Sequence, residues 1–119
     1  DGGLQMNLQE LGTLKQYRVP IKIILLNNHY LGMVKQLQTV FTQGRYAYTA
    51  MENPDFGKIS EAYDLPYEKI DSVDLITPAL HRAQKHSGPC LVEFECDADE
   101  LILPMIPSDA SCAQMITKL

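Results

Sequence analysis

The 119-residue chain carries no surplus of basic residues: 10 lysines and arginines stand against 15 aspartates and glutamates, for a net charge of −5. Nucleic acid is therefore disfavoured as a partner, since phosphate backbones need clustered Lys and Arg, and no basic stripe with interleaved aromatics is present. Long apolar runs are missing too. None approaches the roughly 20 residues a membrane helix needs, and the opening residues show no signal-peptide pattern, so a soluble chain without a membrane partner is expected. The cysteines Cys90, Cys96 and Cys112 form neither a CxxC pair nor a zinc spacing. Were Cys90 to Cys96 one strand, its ends would lie about 20 Å apart at roughly 3.3 Å per residue, too far for a disulfide. Free thiols in a reducing compartment, cytoplasm or an organelle matrix, are the expectation. Internal repeats, low-complexity tracts and linkers are also absent.

What is there reads as one globular domain, with 45% apolar and 21% charged residues. Leu8, Leu11, Leu14 and Tyr17 recur every three residues and predict a helix over 7–18, with Asn7 and Glu10 spaced as a capping box. Pro20 ends that pattern. Ile21 to Leu26 is a short apolar run rich in β-branched residues, the pattern of a strand buried on both faces of a parallel sheet, and Asn27-Asn28 closes it. A second helix is expected from Gly32 to Phe41, with Met33, Leu37, Val40 and Phe41 on one stripe. Residues 42–51 read as a loop in which Tyr46 and Tyr48 pack. Asn53 directly before Pro54 predicts a helix start, running to about residue 63. A strand over 67–70, a helix over 73–86 carrying Leu75, Ile76, Leu80 and Ala83 inward, and a strand over 90–96 complete the pattern. Strands alternating with helices imply an α/β domain with a mainly parallel sheet flanked by helices. The tail beyond residue 97 is too broken by proline for regular structure.

Chemistry concentrates at the strand ends. In an open parallel sheet, ligands gather where the carboxyl ends of the strands meet the following loops. Asn28 lies at such an end, and Asp1 would occupy a neighbouring one if a strand preceded it. One carboxylate and one amide oxygen there would suit magnesium, a hard ion that takes oxygen ligands and completes its shell with water and phosphate. Gly2 and Gly3 would let backbone approach a diphosphate, and a helix starting soon after would aim N–H groups at the anion.

The spacing carries a resemblance. Asp1-Gly2, then 24 residues from Gly3 through Leu26, then Asn27-Asn28, resembles the diphosphate and metal motif of thiamin-diphosphate enzymes. That motif usually begins with a Gly before the Asp, so the chain is expected to be a fragment of a longer one. Met6-Asn7-Leu8-Gln9-Glu10-Leu11, Leu31-Gly32-Met33-Val34-Lys35-Gln36, Gly44-Arg45-Tyr46, Asn53-Pro54-Asp55-Phe56 and Leu103-Pro104-Met105-Ile106-Pro107 are similar to the acetolactate synthase (acetohydroxyacid synthase) family. The likeness implies a partial three-layer thiamin-diphosphate-binding fold, with residues 1–107 as the C-terminal part of the binding domain and 108–119 as a tail. It implies Asp1, Asn28 and the main-chain carbonyl of Tyr30 as Mg2+ ligands, with Gly2, Gly3, Asn28, Tyr30, Gly32 and Met33 around thiamin diphosphate.

The implied reaction decarboxylates pyruvate and joins the remainder to a second 2-ketoacid, in branched-chain amino-acid synthesis. Nothing in the chain matches the family's activating glutamate, which comes from another domain, so no catalytic acid, base or nucleophile is assigned. The segment alone is expected to be inactive. Partners implied are the missing N-terminal domains, a second catalytic subunit and an optional regulatory subunit. FAD belongs to the full-length enzyme and not to this segment.

Met33 and Leu37 are implied to line a substrate channel. Leu37 stands where the family usually has Trp, which leaves acceptor preference open and predicts weak inhibition by herbicides that plug the channel. The same residue types also have plain readings. Asn pairs commonly end strands as turns, and Met33 at helical spacing is ordinarily core. His81 and His86 late in a helix are expected to be solvated, and His29 is given no acid–base role. Glu93 and Glu95 alternate on the last strand and are expected to share a solvated or helix-facing side. Other open alternatives are a different thiamin-diphosphate decarboxylase or carboligase, and a vestigial module without cofactor.

Overall fold

The computed structural model describes residues 1–118. Three parallel strands form its sheet: β1 (Lys22–Asn27), β2 (Tyr67–Ile70) and β3 (Cys90–Glu95), in the spatial order β1-β3-β2. Five helices accompany them: α1 (Gly2–Gln5), α2 (Glu10–Tyr17), α3 (Gly32–Phe41), α4 (Phe56–Ala62) and α5 (Val73–Lys85). Register pairs Lys22 with Cys90 and Asn27 with Glu95 on one side of β3, and Tyr67 with Leu91 on the other. The central strand is the most buried, with Cys90 through Phe94 covered on both faces. Its alternating side chains build two cores. Cys90, Val92 and Phe94 pack with Ile70, Ala79 and Ala83 under α5, while Leu91 meets Leu25 and Phe56 on the opposite face, supported by Leu4 and Ile59.

Several expectations change here. Strand β1 was expected to be buried on both faces, yet Ile24 and Leu26 are 46% and 60% exposed, because α5 covers β2 and β3 and stops short of β1. The predicted helix over 7–18 begins instead at Glu10, with Gln9 in the cap position and no side-chain cap, while α1 starts at once behind Asp1. Asn7 sits in the intervening turn, its N–H donating to the Leu4 carbonyl. Helix α4 starts at Phe56 rather than behind Asn53. Asp55 caps it by accepting from the Lys58 N–H at 3.0 Å, which holds the Asp55 carboxyl below its ordinary pKa. In α5 the inward stripe is Ile76, Ala79 and Ala83, whereas Leu75 and Leu80 are exposed.

Helix α3 is turned inside out relative to its amphipathic pattern. Met33, Leu37 and Phe41 are exposed, and the polar pair Lys35 and Gln36 is buried. The segment after β3 causes this. Lys35 Nζ donates to the Ala98 carbonyl and to Asp99 Oδ1, both at 2.6 Å, and lies 4.2 Å from the centre of the Tyr30 ring. The hydrogen bond to Asp99 raises the Lys35 pKa. Gln36 clasps Ile102 in both directions, Nε2 to carbonyl at 2.9 Å and N–H to Oε1 at 2.7 Å. A buried polar side chain is tolerable when every donor and acceptor finds a partner. Tyr48, expected to pack, is fully exposed, while Tyr46 meets Thr39 through its hydroxyl at 3.1 Å. In the tail, Met105 and Ile116 form an isolated antiparallel bridge, and Cys112–Gln114 make one 3₁₀ turn. Among the described residues all three cysteines are free, and no helix is long and apolar enough to cross a membrane.

Candidate cofactor and metal site

The carboxyl end of β1, the start of α1 and the start of α3 converge on a cleft of about 440 Å³. Asp1, Gly2, Gly3, Asn28, Tyr30, Gly32 and Met33 all line it, which brings together every residue expected at the metal and cofactor. Leu37 does not line it and lies one turn further along α3, 42% exposed.

The local sequence explains each placement. The main-chain nitrogen of Asp1 donates to the Leu26 carbonyl at 3.0 Å, which docks the start of α1 against the end of β1. Asp1 Oδ2 accepts from Asn53 Nδ2 at 2.7 Å, and Oδ1 has no donor among the described residues. After β1 the chain turns sharply: His29 is left-handed at φ 58°, and two Asx turns follow, Asn27 Oδ1 accepting from the His29 N–H and Asn28 Oδ1 from the Tyr30 N–H. That contact uses one lone pair of the Asn28 carbonyl oxygen and leaves the other. Tyr30 pairs with Ala50 through Leu31 N–H to the Thr49 carbonyl and Met51 N–H to the His29 carbonyl, each 2.8 Å. Among the described residues, the carbonyl of Tyr30 itself is unbonded.

The glycines differ in what they do. A Cβ on Gly2 would stand 2.9 Å from Leu31 Cδ2 and 3.1 Å from Met51 Sδ, so Gly2 permits α1 to pack against the side chains of Leu31 and Met51. A Cβ on Gly3 would meet nothing within 4 Å. At Gly32 a Cβ would press on Asn28 Nδ2 at 3.0 Å. Only Gly3 therefore leaves open space at the cleft for a ligand.

The charged side chains in the cleft are of one sign. Asp1, Asp97 and Glu100 line it, and no Lys, Arg or His does. The charged side chains a diphosphate would meet are all carboxylates, so a divalent cation bridging them would favour binding of that anion. One carboxylate oxygen, one amide oxygen and one main-chain carbonyl, each with a free lone pair, make an oxygen donor set of the kind Mg2+ prefers. The residues present fit the ion.

Sequence reasoning missed the polar cluster behind this wall. Asn53 donates to Asp1 and to Asn27 Oδ1 at 2.8 Å, and its own Oδ1 accepts from Gln5 Nε2 at 2.7 Å. Asn27, 2% exposed, passes the chain to Glu93 Oε1 at 2.7 Å, and Tyr67 donates its hydroxyl to Glu93 Oε2 at 2.6 Å. Glu93 is thus buried, not solvated. Burial together with the carboxylate pushes the Tyr67 pKa far above the ordinary phenol value. Glu95 shares that side of β3 but remains partly exposed, bonded to Lys69 at 2.8 Å and His29 at 2.7 Å; the Lys69 bond is the main cause of its lowered pKa. The only sequence signal for Asn53 was its place before Pro54, which pointed to a cap.

The family model described as "Thiamine pyrophosphate enzyme, C-terminal TPP binding domain" matches residues 1–94. The chain belongs to this family. Across its full length the TPP binding domain is 40% identical to the Acetolactate synthase isozyme 2 large subunit of Escherichia coli, and across 98% of it 38% identical to the Acetolactate synthase large subunit of Porphyra purpurea. The mitochondrial Acetolactate synthase catalytic subunit of Aspergillus candidus is 35% identical over 98% of the chain. The chain spans only about a fifth of the length of these relatives: 22%, 20% and 17%. Among solved structures, the Rhodococcus jostii RHA1 thiamine diphosphate-dependent 4-hydroxybenzoylformate decarboxylase superposes with a TM-score of 0.77, at 25% identity, over 85% of this chain and 19% of that one.

Proposed function

We propose that the cleft at the end of β1 binds thiamin diphosphate through Mg2+ held by Asp1, Asn28 and the carbonyl of Tyr30. The observation that carries this reading is the coexistence of that oxygen donor set with a lining whose charged side chains are all acidic. Gly3 would admit the diphosphate, with main-chain groups from Asn28 to Gly32 closing over it, and Met33 would flank the cofactor and the path of substrate, with Leu37 further out. Thiamin diphosphate, when bound, supplies the electron sink that 2-ketoacid decarboxylation needs. Residues 1–107 would form the binding unit, with 108–119 a tail.

In the whole protein this unit would serve an acetolactate synthase-type carboligase of branched-chain amino-acid synthesis, in the cytoplasm or an organelle matrix. Similarity of this chain, over 98–100% of its own length, to about a fifth of acetolactate synthase large subunits supports that reading. Further domains and a second catalytic subunit would supply the remaining machinery, FAD included, with a regulatory subunit as an optional partner.

A second reading keeps the cofactor and changes the product to that of a simple 2-ketoacid decarboxylase. Leu37 in place of the usual Trp leaves room for it, and the superposition on a decarboxylase supports it. Two measurements on the intact protein separate the readings. Thiamin diphosphate binding should require Mg2+ and disappear in Asp1→Ala and Asn28→Ala; retention by both variants would remove the site. With pyruvate as substrate, acetolactate marks the carboligase and acetaldehyde the decarboxylase.

A further inference from the structure

We propose that Asn53, which lies outside the cleft, is a positioning residue that aims the Asp1 carboxylate at the metal, and that buried Glu93 anchors it through Asn27. This assignment rests on the reading of Asp1 as a metal ligand and extends it to residues that touch no cofactor.

The hydrogen bonds determine the orientation of every group in the relay. Asn53 Nδ2 has two protons and spends them on Asp1 Oδ2 and Asn27 Oδ1, at 2.7 and 2.8 Å, with His29 Nδ1 further off at 3.4 Å. Turning the amide over would place an oxygen against both of those oxygens and an NH2 against the Gln5 donor. Network logic therefore sets the rotamer. Asn27 is equally constrained, because its Oδ1 accepts from the His29 N–H and from Asn53 while its Nδ2 donates to Glu93. Glu93, 3% exposed, supplies a fixed negative end within the sheet. From Glu93 outward, each acceptor meets a donor until Asp1 is reached.

The backbone around Asn53 is tied on both sides. Met51 donates to the His29 carbonyl of the metal loop, and Asp55 caps α4. Pro54 between them restricts φ. Asn53 is thus a rigid point from which a carboxylate can be held.

The consequence falls on Asp1. A free aspartate rotates in a broad, roughly two-fold χ2 well. Pinning Oδ2 to Asn53 selects one orientation and leaves Oδ1 as the oxygen available to a cation. Partners that orient metal ligands typically contribute about 10–100-fold in metal affinity.

The test measures Mn2+, standing in for Mg2+, by the paramagnetic signal of the free ion. The intact protein is titrated at fixed thiamin diphosphate, and thermal unfolding is followed in parallel in a chelator. Asp1→Ala should lose Mn2+ binding. Asn53→Ala should raise the Mn2+ Kd about 10–100-fold with the metal-free unfolding temperature nearly unchanged. Gln5→Ala, which frees only the far end of Asn53, should raise it by a smaller factor. If Asp1→Ala loses binding while Asn53→Ala binds within about twofold of wild type, the positioning role is wrong and the metal reading stands. If Asp1→Ala itself binds as wild type does, the metal reading falls. A lowered metal-free unfolding temperature with unchanged Mn2+ affinity would reduce Asn53 to a loop anchor and overturn the proposal. Should Asn53→Ala not fold, an unchanged affinity in Gln5→Ala overturns it instead.

Discussion

Replacing Glu93 by alanine should destabilise the domain far more than replacing it by glutamine. Glu93 is 3% exposed and accepts from Asn27 Nδ2 at 2.7 Å and the Tyr67 hydroxyl at 2.6 Å, with Lys69 Nζ at 3.8 Å. Alanine leaves the Asn27 donor buried without a partner, which costs about 1–3 kcal/mol. The Tyr67 hydroxyl is less buried and water can partly replace its partner, adding roughly 1 kcal/mol. Relief from holding a desolvated carboxylate offsets some of this. The net expectation is about 2–4 kcal/mol for Glu93→Ala, a large share of the 5–15 kcal/mol typical of a domain. Glutamine can still accept from Asn27 and donate to the Tyr67 oxygen. Lys69, half exposed, keeps Glu95 at 2.8 Å, so Glu93→Gln should cost about 1 kcal/mol or less. Native-state hydrogen exchange of the β3 amides in the intact protein is the suitable assay, since it reports this sheet separately from other domains. Equal losses in the two variants, or an alanine variant within about 0.5 kcal/mol of wild type, would show that the buried carboxylate anchors nothing.

Three further outcomes follow from neighbouring contacts. Glu95 has a folded pKa held below its ordinary 4.5, chiefly by Lys69, so its contribution is present above that value and fades as pH falls through the lower folded value. Acid unfolding of wild type and Glu95→Gln should therefore differ at neutral pH and converge at low pH; a gap that persists at pH 2 contradicts this. Gly32→Ala should press a methyl on the Asn28 amide and weaken divalent-ion binding several-fold, with stability changed by no more than about 1 kcal/mol. Unaltered ion affinity would mean that the amide can move away freely. Leu37→Trp in the intact protein should tighten inhibition by channel-plugging herbicides and shift acceptor-ketoacid preference, both readable in steady-state assays; no change in either would place residue 37 off the substrate path.

The legible part of the site was what lies close in sequence or recurs as a motif. Asp1, Gly2 and Gly3 adjoin one another, Asn28 to Met33 form one turn and helix start, and the 24-residue spacing joins the two groups. The illegible part was what joins distant segments through polar side chains. Asn53 reaches Asp1 across 52 positions, and Asn27 reaches Glu93 across 66. Hydropathy assigns both Asn53 and Glu93 to the surface, because alone neither could repay burial. Each is buried or pinned only since the other end of its hydrogen bond arrives from elsewhere.

By itself the sequence determined the order and type of the three strands and of helices α2 to α5, though not the short α1 behind Asp1 or the 3₁₀ turn of the tail. β-branched runs and Pro20 act locally, through backbone sterics and period, and need no partner to be read. Only the tertiary structure decided which face of each element is covered. Helix α3 shows this plainly: its apolar stripe is intact, yet the side that is buried carries Lys35 and Gln36. The segment from Ala98 to Ile102 offers carbonyls and a carboxylate that match those two side chains, and a satisfied polar contact can be buried as readily as an apolar one. Periodicity records where hydrophobic residues lie. It carries no information about which distant segment comes to meet them.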